Sequence, residues 1–398
     1  MNKPWLILIS TLLVFVSMTM RFNFSLLAEE EQSSYLQAEY ESLHKNVEEK
    51  AKTIKTRNAY KKLIKEHTTS LEMLLEKVKN AAPDDQLELL KGKVLSDLKK
   101  KRDAVRVFDE LIQRQSPVAN QAKFENVRLL LEENKIDEAL PLFREIEDSV
   151  EKNKSYFWVL LDLAFSSKKM ETKEEYSLKF INAVGNSKEY ENFKALTYKY
   201  LAEIEKDRDN LKKGIEILEK AAAEFTTEQG RGQLRTALKR IKMIGAPAPE
   251  LPAETWINCE PLNLEDLKGK AVVIVFWAPW SEPSRRMIPL LLKNYNQYKD
   301  EGLVVIGISK IYGSYSDDTR HKDNVPKEVE ISLIHEFARR YKITYPVAIS
   351  DAGGVFETYG VRGIPALFLI DKEGIVTDIK VGSGDPKGLE EKIKELLK

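Results

Sequence analysis

Two serines three positions apart, Ser281 and Ser284, stand in the run Pro279-Trp280-Ser281-Glu282-Pro283-Ser284-Arg285-Arg286, directly after the apolar stretch Ala271–Ala278. A serine hydroxyl becomes a nucleophile only when a base within hydrogen-bond reach takes its proton. No histidine or second polar partner is marked nearby in the sequence. Ser281 reads more simply as a helix N-cap, with Glu282 and Pro283 in the first turn. The chain holds one cysteine, Cys259, within Trp256-Ile257-Asn258-Cys259-Glu260-Pro261. One thiol forms no internal disulfide and rules out a Cys-pair redox centre and Cys-rich zinc sites. No cation or helix start beside Cys259 would lower its pKa. It reads as a packing residue, with an intermolecular disulfide or a reactive thiol as the alternative.

The other titratable candidates are weaker. Asp317, Asp318, His321 and Asp323 lie in the polar stretch Lys310–Pro326, but Arg320 and Lys322 among them oppose a cation. That stretch exceeds the usual two-to-six-residue βα connection and is expected to be a flexible surface loop or a partner contact. His44 and His67 are isolated along the chain, and His335 falls on a predicted helix as a surface or boundary residue. No metal and no cofactor is expected.

The elements that must position these residues fall into two compositional regions. Before Gly245 there are 5 glycines and 4 prolines; from Gly245 onward there are 13 and 11. Few breakers, many Leu, Lys and Glu, and apolar spacings of three and four predict an all-helical region over 29–244. Its Lys and Glu runs read as solvated faces. Asp103-Ala104-Val105-Arg106-Val107-Phe108 recurs as Glu138-Ala139-Leu140-Pro141-Leu142-Phe143, 35 positions on, and Gly214-Ile215-Glu216-Ile217-Leu218 follows 75 positions later. Small residues recurring near this period, where paired helices cross, resemble tetratricopeptide repeats. Such pairs stack into a solenoid able to hold a peptide or a protein. An irregular bundle is the alternative, and Tyr35–Lys79, which shows no period, reads as a long helical hairpin. The proline-rich 245–255 is expected to be a stiff linker.

From 256 to 398 short β runs alternate with helices. Ala271–Ala278 and Leu303–Ser309 are continuous apolar runs, as strands buried on both faces require. Helices are expected from the serine run to Tyr298, over Ile331–Tyr341 and over Pro386–Leu397. Val347–Ile349 is a short strand, and strands up to Asp371 and over Ile375–Val381 pair around Lys372-Glu373-Gly374. A βαβ unit, a β-hairpin and a final helix make the α/β thioredoxin arrangement.

Four segments carry a closer resemblance: Asn263–Lys270, Phe276-Trp277-Ala278-Pro279-Trp280, Tyr359-Gly360-Val361-Arg362-Gly363-Ile364-Pro365, and Leu369–Gly374. Together they resemble the TlpA/ResA-type thiol-disulfide oxidoreductases of the redoxin group. The resemblance implies a Cys-x-x-Cys where this chain has Ser281 and Ser284, and often a proton-transferring glutamate where it has Met287. It also implies a cis proline at Pro365 beside the active site, and an N-terminal hairpin around Cys259, away from the motif. Exchange needs a thiolate nucleophile and a sulfur leaving group, so dithiol chemistry is not expected at these serines. Trp277, Trp280, Ile364 and Pro365 remain as candidates to line a peptide-binding groove.

Lys3 precedes the apolar run Pro4–Met20, ended by Arg21, so residues 1–28 read as a cleaved signal or an uncleaved anchor. With 63 basic and 63 acidic residues the 398-residue chain is formally neutral, which argues against nucleic-acid binding. The expectation is a multidomain protein outside the cytoplasm, periplasmic, secreted or anchored by its N-terminal helix to the inner membrane. A helical solenoid would be followed by a thioredoxin-like domain that binds a protein or peptide without redox turnover. The competing reading is an oxidoreductase or antioxidant enzyme using Cys259 or a partner's cysteine.

Overall fold

The computed structural model describes residues 31–351, 354–382 and 386–398; the apolar run Pro4–Met20 lies outside them. The chain forms two compact units, one ending at Gly185 and the other beginning at Asn186.

The first unit is helical throughout. Residues 31–53 form α1, followed by α2 (Arg57–Asn80), α3 (Asp85–Asp97), α4 (Lys101–Gln113), α5 (Ala119–Glu132), α6 (Ile136–Ile146), α7 (Lys154–Ser166) and α8 (Met170–Val184). The stretch without a period folds as the expected hairpin, α1 against α2, with Leu36, Leu71, Leu74 and Leu75 in one apolar cluster. Helix pairing has a local cause that recurs with the sequence offset. Just past the end of α3 Lys99 has φ 61°, and just past the end of α5 Asn134 has φ 58°. Each lets the next amide reach back five residues, Lys100 N to Leu95 O and Lys135 N to Leu130 O, both 2.9 Å. That closes the helix end and reverses the chain. The second helix of each pair then buries Ala104 or Ala139 completely. Gly92 accepts the Phe108 ring where a Cβ would meet it at 2.2 Å.

His44 and His67 are not isolated in space. His44 Nε2 lies 3.0 Å from Asp97 Oδ2, which also accepts the Tyr40 hydroxyl at 2.8 Å, and the two imidazole centroids are 5.1 Å apart. Folding α1 back on α2 brings them together, a long-range consequence that chain spacing does not carry.

The second unit begins with α9 (Glu191–Asp207), α10 (Leu211–Glu224) and α11 (Glu228–Ile241). The same turn reappears at Asp209, with Asn210 N to Glu205 O at 2.9 Å. Gly214 packs so closely on α9 that a Cβ would stand 2.8 Å from Ala202 O.

The same unit holds a six-stranded sheet of β1 (Thr255–Ile257), β2 (Ala271–Phe276), β3 (Leu303–Lys310), β6 (Val347–Ser350), β7 (Ala366–Ile370) and β8 (Val376–Val381), in the order β1-β6-β3-β2-β7-β8. β2, β3 and β6 are parallel, whereas β1, β7 and β8 join by antiparallel pairing. Alternation along β2 explains its unbroken apolar run. Ala271, Val273 and Val275 face a cluster containing residues of α12 (Glu282–Tyr298), α13 (Lys327–Arg340) and α15 (Pro386–Leu397). Val272, Ile274 and Phe276 face Val355 and Phe356 of α14 (Gly354–Thr358), a helix too short to be marked by periodicity.

Two expectations are corrected here. The segment from Gly245, expected to be a stiff linker, is packed into the domain: Gly245 N bonds Val376 O at 2.8 Å, Ala248 N bonds Gly374 O at 2.9 Å, and Leu251 is buried. Prolines lack donors, but the residues between them supply the amides. The hairpin expected around Cys259 is absent among the described residues; β1 pairs with β6, Ile257 opposite Val347.

Candidate functional site around Ser281

β2 and β7 run antiparallel with Phe276 opposite Ala366. The chain leaving β2 and the chain entering β7 therefore share one end of the sheet. Trp277-Ala278-Pro279-Trp280-Ser281 and Ile364-Pro365 meet there, and the Ile364–Pro365 bond is cis. Ser281 is the N-cap of α12, with extended backbone and its Oγ accepting from Ser284 N at 3.3 Å. Ser284 Oγ donates to Ser281 Oγ at 2.8 Å, and both residues are almost fully buried, at 3% and 2% exposure. The two hydroxyls thus satisfy one another and the helix terminus. No base stands against them among the described residues. Arg285 turns back to Pro279 O at 2.6 Å, and Met287 is buried in the core.

The four groove candidates part company. Trp277 is a core residue rather than a groove wall: it is buried, 5.3 Å from the Phe337 ring. It lies over Gly307, where a Cβ would come within 2.9 Å of Nε1. Its Nε1 finds no hydrogen-bond partner among the described residues. Pro365 is buried and Ile364 half-buried. Trp280 is the exposed member, 47% accessible, and meets Tyr312 edge-on at 5.7 Å. Sequence reasoning did not single out Tyr312. Burial, reinforced by Glu330, pushes its phenol up to about 12.

Tyr312 belongs to the polar stretch read as a flexible surface loop or a partner contact, and that stretch is tied down. Glu330, buried in the first turn of α13, accepts Tyr312 N and Gly313 N at 2.9 Å each. β4 (Tyr315–Ser316) pairs with β5 (His321–Lys322). The Asp317 carboxylate accepts from the Tyr315 hydroxyl at 2.6 Å, Thr319 N at 2.6 Å, Arg320 N at 2.9 Å and Arg340 Nη2 at 2.9 Å. Burial alone would raise its pKa, but these donors outweigh it and hold the carboxyl well below the usual range. Asp318 pairs with Arg340 at 2.8 Å, and exposed His321 with Asp323 at 3.2 Å.

Cys259 sits elsewhere. It follows β1, three strands from β2 in the sheet order, hence about 14 Å away at the usual strand spacing. Ile257 stands level with Val347, Gly307 and Val275. Because β1 runs against β2, Cys259 falls toward the start of β2 while Ser281 lies past its end. Burial, then Glu260, raises the thiol pKa, the opposite of what a reactive thiolate needs.

Comparison with known proteins places this geometry. The model of the AhpC/TSA family matches residues 244–379. The thiol-disulfide oxidoreductase ResA of Bacillus cereus is 32% identical over 184 residues, covering 46% of this chain and 92% of ResA. The thioredoxin-like protein YneN of Bacillus subtilis is 30% identical over 149 residues, covering 37% of this chain and 78% of YneN. Among solved structures, a thiol-disulfide isomerase from Corynebacterium glutamicum is 24% identical and aligns at a TM-score of 0.32, covering 38% of this chain and 96% of the isomerase. Through its C-terminal domain the chain belongs to the thioredoxin-like thiol-disulfide oxidoreductase family of ResA and its relatives.

Proposed function

We propose that this chain is an extracytoplasmic member of the family whose redox centre is lost and whose role is to bind a protein or peptide. The Ser281–Ser284 pair carries this reading. It occupies the head of α12, where a thiolate would gain from the helix terminus, yet it offers two mutually bonded hydroxyls. Neither can form a disulfide or leave as a thiolate. Met287, buried and apolar, transfers no proton. Exposed Trp280, with Tyr312 and Ile364 at the end of the sheet, supplies an apolar surface for an extended peptide, and the helix pairs supply further contact surface. The apolar run Pro4–Met20 supports placement outside the cytoplasm, as signal or anchor. Among the described residues no helix is long and apolar enough to cross a membrane.

The test is reduction of insulin by dithiothreitol with the purified full chain and Cys259→Ala. Both are expected to leave the uncatalysed rate unchanged. Turnover that disappears in Cys259→Ala would replace this reading with the oxidoreductase one. Affinity capture from envelope extracts should enrich a partner, and Trp280→Ala should lose it.

A further inference from the structure

The second unit contains a cavity of about 570 Å³ lined by α9, α11, the Arg362-Gly363 segment before β7, and the end of β8. Four cations line it, Lys199, Arg240, Arg362 and Lys380. Lys199 of α9 bonds only a neutral acceptor, Gln233 Oε1, at 3.2 Å. Arg240 of α11 is largely buried, 14% exposed at its side chain, and its carboxylate neighbour Glu203 is 3.7 Å off. Glu203 is itself bound more closely by Lys206, at 2.9 Å. Arg362 lies against α11, with its terminal nitrogens 3.8 Å from where a Cβ on Gly232 would be. Neither Lys199 nor Arg362 has a carboxylate within ion-pair distance among the described residues. The other acid on the cavity wall, Asp207, is taken by Lys380 at 3.2 Å.

Crowded, partly desolvated cations repel one another. Burial first, then Arg240 and Arg362, hold Lys199 below the usual lysine value. An anion entering the cavity would relieve that repulsion and accept charge-assisted hydrogen bonds, with Arg362 able to grip a planar carboxylate through two nitrogens. The lining is mixed, with Gln233 and Thr236 beside the charged groups and Leu196, Ala237 and Val381 as its apolar part. Leu196 and Val381, 43% and 46% exposed, are among the large apolar side chains left open on the described surface, and both face this cavity.

We propose that this cavity binds a carboxylate carried on an apolar body, the carboxylate on Lys199, Arg240 and Arg362 and the apolar part between Leu196 and Val381. The source is either a free organic acid or the C-terminal carboxylate of a peptide ending in an apolar residue. Isothermal titration of the full chain with octanoate, with acetyl-leucyl-leucine and with the amide of that dipeptide separates the possibilities. Tighter binding of octanoate assigns a free acid; tighter binding of the dipeptide acid assigns a chain terminus. In either case the amide should not bind, and Arg362→Gln should weaken the preferred probe by roughly tenfold or more. Arg362 is exposed, so this variant should keep its melting temperature; Lys199→Met is the second variant, with the same expected loss. Silence with both acids, an amide binding as well as the acid, or affinities changed by less than about twofold in both variants would overturn the proposal.

Discussion

The end of the sheet at Ser281 and the cavity at Lys199 belong to one compact unit and have opposite character. At Ser281 every polar atom of the pair has been answered locally, by a hydroxyl three residues away and by the first turn of its own helix. At the cavity, two helices and a loop deliver cations whose compensation is incomplete. Satisfied hydroxyls hold a structure in place; uncompensated charge is retained against a desolvation cost and needs a counter-ion. The head of α12 is therefore electrostatically satisfied. The open electrostatic demand lies on the neighbouring helices.

Restoring sulfur is the strongest way to break this contrast. Ser281→Cys combined with Ser284→Cys should create a dithiol at the head of α12 and raise insulin reduction on the order of tenfold above the uncatalysed rate. No gain in that assay would mean that the surroundings, and not only the two atoms, have left the chemistry behind.

The next effect tests the frame shared by both regions. Lys206 of α9 reaches Asp378 of β8 at 3.1 Å, both side chains being 7% exposed. Removing the cation by Lys206→Met should cost about 3 kcal/mol in chemical denaturation. Burial tends to raise the Asp378 pKa, but Lys206, Lys380 and Lys392 outweigh it and the folded value is depressed. Its contribution is present above the ordinary carboxylate range near ~3.9 and is lost as pH falls through the folded value. Asp378→Asn should accordingly flatten the acid limb of the stability profile below about pH 4.

A smaller loss belongs to the serine pair. Ser281→Ala removes the cap and leaves the Ser284 hydroxyl without its acceptor, which should lower stability by about 1 kcal/mol. A loss near zero would show that the pair does not hold the helix end. The smallest effect is kinetic. With its pKa raised by burial and Glu260, Cys259 should react with iodoacetamide more slowly than free cysteine at pH 8, and Glu260→Gln should speed it modestly.

Elements defined by local pattern were legible. β2 could be read because alternate residues face two different apolar clusters, leaving no polar position in the run. Helix pairing could be read from Ala104 and Ala139, since a crossing admits only small side chains. Ser281 was legible as a cap for the same local reason. The flexibility expected of the polar stretch was not borne out, because composition does not reveal that Arg340 and Glu330, on α13, reach back to Asp317, Tyr312 and Gly313. Trp277 was misread because the motif states its presence, not which way the ring turns. The His44–Asp97 contact spans 53 positions and has no local signature.

The sequence by itself determined which atoms are at hand: one thiol in the chain, and hydroxyls at Ser281 and Ser284, where the family resemblance implies thiols. Atom type is a property of the residue, and no fold can change it. It also determined helices, strands and caps, because these depend on neighbours a few positions apart. Tertiary structure alone decided where charge is left over. Lys206 meets a carboxylate 172 positions away, whereas Lys199 and Arg362 line one cavity without a carboxylate at ion-pair distance among the described residues. Compensation of a buried charge depends on distances of a few ångströms between segments remote in sequence, and only folding sets those distances.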